Sequence, residues 1–278
     1  MDQKQLEKLK ACELEMLKAF ADVCEKLQLK YFVIGGTLLG AVQHEGFIPW
    51  DDDIDVGMPR ADYERFIAEG QKYLPEWYFV QTMHSDPEWP ANFAKIRDCR
   101  TTFIEKSVRH LNVNHGAYID IFPLDFYPEN RSKQIRFDFA NRLLNLRIRR
   151  VFYRKPGMES VLKKTVRCSS SALALMIHPS LKSAVKKQER LYRAVSHSNL
   201  LANHCGAWGK KEIVPAHWYG EGVLLQFEGI PVRAPKHYDK WLTQVYGDYM
   251  QLPPVEKRVG HHDYEVLDLD KPYTEYIR

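Results

Sequence analysis

The run Ile48-Pro49-Trp50-Asp51-Asp52-Asp53-Ile54-Asp55-Val56-Gly57 places four carboxylates in five positions inside an otherwise apolar stretch. Neighbouring carboxylates repel one another and push each other's pKa up unless a divalent cation or a strong donor set neutralises them. Side chains alternate along an extended chain, so Asp51, Asp53 and Asp55 are expected on one face while Ile54 and Val56 turn to the core. Carboxylates grouped in this way suit Mg2+ or Mn2+. Hard cations choose oxygen, and Mg2+ in particular is held by one or two carboxylates together with substrate phosphates.

Upstream, Tyr31-Phe32-Val33-Ile34 reads as a short strand, broken by Gly35-Gly36-Thr37 before Leu38-Leu39-Gly40-Ala41-Val42 begins a helix. Glycines there let the backbone approach a ligand, and the first N–H groups of the helix with its dipole favour phosphate. The Asp-x-Asp pair follows 17 residues after Gly36, so a phosphate cradle would face a metal platform. A further carboxylate, Asp120, sits alone in the apolar run Ala117–Leu124. A buried charge of this kind needs a partner. Asp120 is therefore expected beside Asp53 and Asp55 as a ligand or general base, the alternative being a structural Asp bonded to a turn. Asp125, between Pro123 and Pro128, reads as a capping residue. Lys95 and Arg97 alternate with Ile96 on a predicted strand and could both reach a donor diphosphate. His44 is a candidate for phosphate binding or proton transfer, against an ordinary capping or core histidine. Aromatic faces hold quaternary ammonium groups. Trp50, Trp208, Trp218, Tyr219, Trp241 and Tyr246 are candidates for that role or for acceptor contacts, although most tryptophans at such spacings are core.

The elements that must position these groups form a mixed α/β (α+β) pattern. Leu6, Leu9, Met16, Leu17, Phe20, Val23, Cys24 and Leu27 recur at helical spacing over residues 3–28. A strand at 31–34, the acidic strand, a helix from Arg60 to Lys72 and short strands near 77–82, 92–97, 101–105 and 117–122 complete the first part. A mixed sheet with flanking helices would gather the glycine turn and the aspartates at one sheet edge.

The segment from Gly35 to Val42, with His44, Gly46, Ile48-Pro49-Trp50-Asp51 and Asp53-Ile54-Asp55, resembles the signature of the LicD family of phosphotransferases, which includes bacterial phosphocholine transferases and fukutin-related proteins. Lys95-Ile96-Arg97-Asp98, Ile119–Asp125, Phe227-Glu228-Gly229, Tyr246–Met250 and Leu252-Pro253-Pro254 are similar to family positions too, so the resemblance spans about residues 10–125 and 205–262. It implies a nucleotidyltransferase-like fold and transfer of a phospho-alcohol, usually phosphocholine from CDP-choline, to a cell-surface glycan precursor of teichoic acid or lipopolysaccharide type, with release of CMP. His261 and His262 match a family position that closes over the site, with no means of choosing between them. Gln43 stands where the family usually carries Arg, which leaves a phosphate-binding charge lost or supplied from elsewhere. Two rival readings are a nucleotidyltransferase that hands on a nucleoside monophosphate and a metal-dependent nucleotide-binding protein without turnover.

With 278 residues, 45% of them hydrophobic, the chain can bury one substantial core and carry a second lobe. No run approaches the ~20 apolar residues of a membrane span, and the polar start Asp2-Gln3-Lys4 is unlike a signal peptide. A cytoplasmic location is expected. The five cysteines lack Cys-x-x-Cys spacing and read as reduced thiols. Charge is divided unevenly: Arg131 to Arg190 holds 16 Lys or Arg against three acids, a net +13, leaving −9 for the remainder. Three parts follow: a catalytic core over 1–130, a basic amphipathic helical insert over 131–200, and 201–278 completing the catalytic lobe. The insert's basic residues, interleaved with Phe137, Phe139, Leu143, Leu144, Ile148 and Phe152, suit a peripheral contact with an anionic membrane. The alternative is an apolar face packed on the catalytic lobe. No base-reading motif accompanies the charge, so no nucleic acid is expected.

Overall fold

The computed structural model describes residues 1–152, 180–260 and 262–277. Helix α1 (Gln3–Lys26) starts on a capping box, in which the Gln5 N–H donates to Asp2 at 2.7 Å and the Asp2 N–H donates to the Gln5 side chain at 3.1 Å. Its buried stripe of Leu9, Met16, Leu17, Phe20, Val23 and Cys24 is the predicted apolar face, lying on the sheet. Strand β1 (Phe32–Val33) leads into α2 (Gly35–His44), followed by β2 (Asp55–Pro59) and α3 (Arg60–Glu69). Strands β3 (Tyr78–Gln81), β4 (Ala94–Asp98), β5 (Thr102–Glu105) and β6 (Ala117–Tyr127) come next. Helices α4 (Arg131–Phe152) and α5 (Leu181–Arg193) precede β7 (Leu200–Asn203), β8 (Ile213–Pro215), β9 (Val223–Phe227), β10 (Ile230–Ala234), α6 (Tyr238–Tyr246) and β11 (Tyr264–Asp268).

The main sheet has seven strands in the order β1-β2-β6-β4-β3, with β7 paired to β6 and β8 outside β7. Strand β6 organises it. Its first half pairs in parallel with β2 and antiparallel with β4, and its second half pairs antiparallel with β7. The mixed α+β architecture with flanking helices is the expected one, and residues 200–215 extend the same sheet that the first 127 residues begin.

Two elements start elsewhere than the sequence pattern implies. Helix α2 already begins at Gly35 rather than Leu38, because Gly35 at φ +59 makes the turn and Leu38 donates its N–H to the Ile34 carbonyl at 3.1 Å. The acidic segment is strand only from Asp55; residues 51–54 run as irregular chain. The charged face is nevertheless kept, since Ile54 and Val56 are both fully buried.

The basic helix α4 packs part of its apolar side on the molecule and leaves Ile135 and Phe139 exposed. Leu144 and Ile148 pack with Met83, Ala184 and Val185, and Phe137 packs with Tyr127, Tyr192 and Ala202. Full burial of such side chains contributes about 1.5–3 kcal/mol each. Residues 153–179, with Arg154, Lys155 and the stretch Val161–Ile177, lie outside the described residues.

Candidate active site

Sheet register builds the centre. Asp55 on β2 is the parallel partner of Asp120 on β6, and Asp120 is the antiparallel partner of Lys95 on β4. Residues directly opposite on neighbouring strands share a face, so these three form one row across the sheet. Lys95 Nζ meets Asp120 Oδ1 at 2.8 Å with both side chains almost fully buried. The same ammonium lies 3.2 Å from the centre of the Tyr118 ring, two residues before Asp120 on the same face.

The glycine turn meets this row from above. The Asp55 N–H donates to Thr37 Oγ1 at 2.8 Å, and the Ile34 N–H donates to the Asp55 carbonyl at 3.1 Å. A Cβ on Gly35 would fall 2.7 Å from Asp55 Oδ2, and one on Gly36 would collide with Asp51 Oδ2. Glycine is required because the carboxylates lie directly on the backbone of the helix start. No side chain caps α2, so its first amides and dipole point their positive end at this acidic floor.

The carboxylates perturb one another strongly. Burial and then the Asp52 charge lift Asp51 to about 6; burial and then the Asp51 charge lift Asp53 to about 7. Burial and the Asp53 and Asp120 charges hold Asp55 well above the ordinary carboxylate range. Asp120 is raised by burial against the opposing pull of Lys95. Clustered carboxylates with raised pKa values would be stabilised by positive charge placed among them. Among the described residues no three His, Cys, Asp or Glu side chains form a complete metal-ligand set. Mg2+ characteristically takes one or two carboxylates and fills its remaining positions with water and substrate oxygens. The glycine cradle and the all-oxygen donor set thus suit a hard cation on Asp53 and Asp55 with Asp51 alongside.

Three further groups belong to the centre and escaped the sequence reading. Glu13 of α1 is buried, its Oε2 has no hydrogen-bond partner among the described residues, and burial followed by the Asp53, Asp52 and Asp51 charges holds its pKa well up. Its signal was present: an acid between Leu9 and Met16 on the apolar stripe of α1. Asp52 turns away from Asp51 and Asp53 to meet His262 Nδ1 at 3.2 Å. Burial opposes protonation of His262, but the Asp52 hydrogen bond and the Asp53 and Glu105 charges outweigh it and lift the imidazole to about 9. Glu105, raised by burial but lowered more by Lys95 and Arg97, is the third.

The remaining candidates separate cleanly. His262 is at the centre; His261 lies outside the described residues. Tyr246 is close enough for the Asp55 and Asp51 charges to reinforce the effect of burial on its phenol, and its ring meets Trp208 at 5.0 Å. Arg97 is fully buried, donating to Gln81 and the Gly116 carbonyl at 2.8 Å, and so braces the sheet beneath Tyr118 without reaching solvent. His44 is exposed at the far end of α2, about 13 Å along the helix from Gly35 at 1.5 Å per residue. Tyr219 and Trp241 belong to the core: Trp241 Nε1 donates to the Tyr219 hydroxyl at 3.2 Å. Trp218 packs at the core margin, and Trp50 lies under the Arg258 guanidinium at 5.3 Å. Asp125 is no cap: it forms a two-pronged ion pair with Arg60 at 2.8 and 2.5 Å, because the strand it sits on continues past Pro123 and buries it. Gln43 donates to the Tyr249 carbonyl, tying α2 to the loop after α6. Glu228 accepts the Phe47 N–H at 3.0 Å and donates its own N–H to Glu45, clamping the loop that leads into the aspartates.

Residues 28–143 match the nucleotidyltransferase domain of the LicD/FKTN/FKRP family. Over 259 residues, 92% of this chain and 95% of the relative, the sequence is 29% identical to the lipopolysaccharide cholinephosphotransferase LicD of Haemophilus influenzae. An uncharacterized protein of Rickettsia typhi is 38% identical over 128 residues, 46% of this chain and 39% of that one. Ribitol 5-phosphate transferase FKRP of Mus musculus is 27% identical over 122 residues, 42% of this chain and 20% of that one.

Proposed function

From the chain's membership of the LicD family of phosphotransferases, we propose that it transfers a phospho-alcohol group, phosphocholine from CDP-choline, to a hydroxyl of a lipopolysaccharide- or teichoic-acid-type glycan and releases CMP. The observation that carries this reading is the buried row Asp55–Asp120–Lys95 lying against the uncapped start of α2. An amide-rich turn above carboxylates suits a diphosphate bridged to the protein by a cation. Mg2+ or Mn2+ on Asp53 and Asp55, assisted by Asp51, would supply Lewis-acid charge neutralisation to that diphosphate.

The chain's own groups account for the rest. The first amides of α2 receive phosphate oxygens and fix the donor's position. Asp120 takes the proton of the acceptor hydroxyl as its oxygen bonds to the choline-bearing phosphorus, and the bond to the CMP oxygen breaks in line. Lys95 favours the ionised form of Asp120 against the burial that disfavours it. Protonated His262 and the Asp52 it holds set the position of the loop carrying Asp51 and Asp53. Tyr246, close enough to Asp55 to feel its charge, offers a ring for a quaternary ammonium group. Among the described residues no helix is long and apolar enough to cross a membrane. We place the enzyme in the cytoplasm, where a CDP-linked donor is available.

The test incubates the protein with CDP-choline, CDP-ethanolamine or CDP-ribitol, Mg2+ or Mn2+, and a lipopolysaccharide core oligosaccharide. CMP and a phosphocholine-bearing oligosaccharide are expected. A nucleotidylated acceptor with pyrophosphate from a nucleoside triphosphate would instead establish a nucleotidyltransferase, and binding without either product a non-catalytic protein.

A further inference from the structure

Two adjoining cavities lie under helix α4, away from the aspartates. The outer one, about 600 Å³, is lined by α4 and by the loop after β7; the inner one, about 360 Å³, reaches Phe93 and Gly206, and both are bounded by Asn145, Arg149 and His204. Each lies within the roughly 300–1,000 Å³ typical of small-ligand sites. Arg142, Asn145 and Arg149 stand at i, i+3 and i+7 on α4 and so form one stripe along the outer cavity. Arg142 and Arg149 make no ion pair with the described residues, whereas Lys210 on the opposite rim is paired with Asp138.

The floor is built to meet a polar ligand. His204 stacks on Tyr192 at 4.7 Å and tilts against Phe137 at 4.9 Å, and its buried Nε2 has no hydrogen-bond partner among the described residues. Burial lowers the imidazole to about 4, so a neutral ring faces the cavities. Amide orientation is held by a network: Gln188 Nε2 donates to Asn141 Oδ1 and Asn145 Oδ1, both at 2.8 Å. The inner end stops one ring short of the catalytic row. Phe93, which lines it, lies 5.6 Å from Lys95 Nζ, the partner of Asp120, and Gly206 lies against the carboxylate of Glu212.

We infer that this double cavity is the acceptor subsite and that it takes a phosphorylated oligosaccharide, with Arg142 and Arg149 on phosphate and the Asn145 amide on a sugar hydroxyl beside the His204 ring. Arginine forks suit phosphate oxygens, while fixed amides, a neutral imidazole and aromatic walls suit sugars. An anionic membrane is the poorer partner for this face, because the two arginines border a concavity and only Ile135 and Phe139 of the large apolar residues lining it on α4 are exposed. The inference rests on the transferase reading for the direction of the chain towards Asp120, not for the binding itself.

The test measures binding of a deacylated, phosphorylated lipopolysaccharide core oligosaccharide to the full chain by calorimetry, beside the same oligosaccharide after dephosphorylation. Wild type should bind the phosphorylated form at least tenfold more tightly. R142Q/R149Q should erase that preference and raise the acceptor KM at least tenfold, with the rate recovered at saturating acceptor. R136Q, on the exposed side of the same helix, should change neither. Equal affinity for the two oligosaccharides, no binding by wild type, an R142Q/R149Q Kd within twofold of wild type, or an equal loss in R136Q would overturn the assignment. Loss of binding to anionic phosphatidylglycerol vesicles in R142Q/R149Q, with oligosaccharide binding kept, would assign the face to membrane instead. Phosphate-dependent binding that follows this pattern without CMP release would keep the cavity and remove the donor reading.

Discussion

The centre of the sheet and the cleft under α4 handle charge in opposite ways. At the centre Glu13, Asp51, Asp53, Asp55 and Asp120 are gathered in the interior, where burial is the largest cause of every upward shift, and Lys10, Lys95 and His262 supply the positive charge nearby. Under α4 Arg142 and Arg149 keep solvent and form no ion pair with the described residues. A buried unbalanced charge carries several kcal/mol of stress in the folded state, whereas an exposed one carries little. By this contrast the acidic centre is expected to gain stability when a cation neutralises it, and the exposed arginines of the basic cleft to gain little from any ligand.

The sharpest way to break that contrast is to remove the one buried cation in the row. Lys95→Met leaves Asp120 without its partner, and breaking a buried pair costs about 3–5 kcal/mol. Because Lys95 pulls the Asp120 pKa down, the deficit should grow between pH 5 and pH 8, as Asp120 must then lose its proton unpaired. Urea unfolding at the two pH values measures it, and a loss under 1 kcal/mol at both would show the pair to be incidental.

Asp53→Asn and Asp55→Asn come next. Each should lower turnover by about 10²–10³, the usual cost of losing one electrostatic stabiliser of the transition state. The same changes should raise the melting temperature without metal, by relieving repulsion, and abolish the stabilisation that saturating Mg2+ gives wild type, about 2.7 kcal/mol at a hundredfold excess over Kd. Near wild-type turnover in either variant at saturating metal would dismiss the metal platform.

Glu212 sharpens the comparison at the boundary between the two regions, where burial lifts its carboxyl to about 7. A carboxyl raised in the folded state holds a proton that the unfolded chain releases, so its effect on stability declines as pH rises from about 4.5 to 7 and is constant above. Glu212→Gln should remove a decline on the order of 2–3 kcal/mol across that window, read from unfolding free energies at pH 4.5 and 8. An unchanged slope would place the titration on another group. The smallest effect is expected from Glu13→Gln. If the raised pKa keeps this carboxyl protonated, the amide is a close mimic and kcat should stay within about threefold, under 0.7 kcal/mol; a drop beyond tenfold would show that ionised Glu13 is needed.

Much of the site could be read from residue order, because its signals are local. Alternation predicts Asp51, Asp53 and Asp55 on one face, although only Asp55 proves to lie on the strand; Gly35-Gly36 announces a backbone approached closely by something, and an isolated Asp120 in an apolar strand needs a partner wherever it folds. The helix stripe of α1 and most strands were legible for the same reason. Register, however, is a long-range property. Only the pairing of β2, β6 and β4 set Asp55, Asp120 and Lys95 in one row, and only the docking of α1 brought Glu13 to the aspartates. Lys95 and Arg97 look equivalent in the sequence, two residues apart on one strand. The fold makes one the partner of Asp120 and seals the other beneath Tyr118, because what a side chain can touch depends on the elements packed over it. The charge excess of Arg131–Arg190 was plain in composition. That α4 would bury its apolar side and leave Arg142 and Arg149 along a cavity was decided by packing against α5 and β7, contacts that no local pattern encodes.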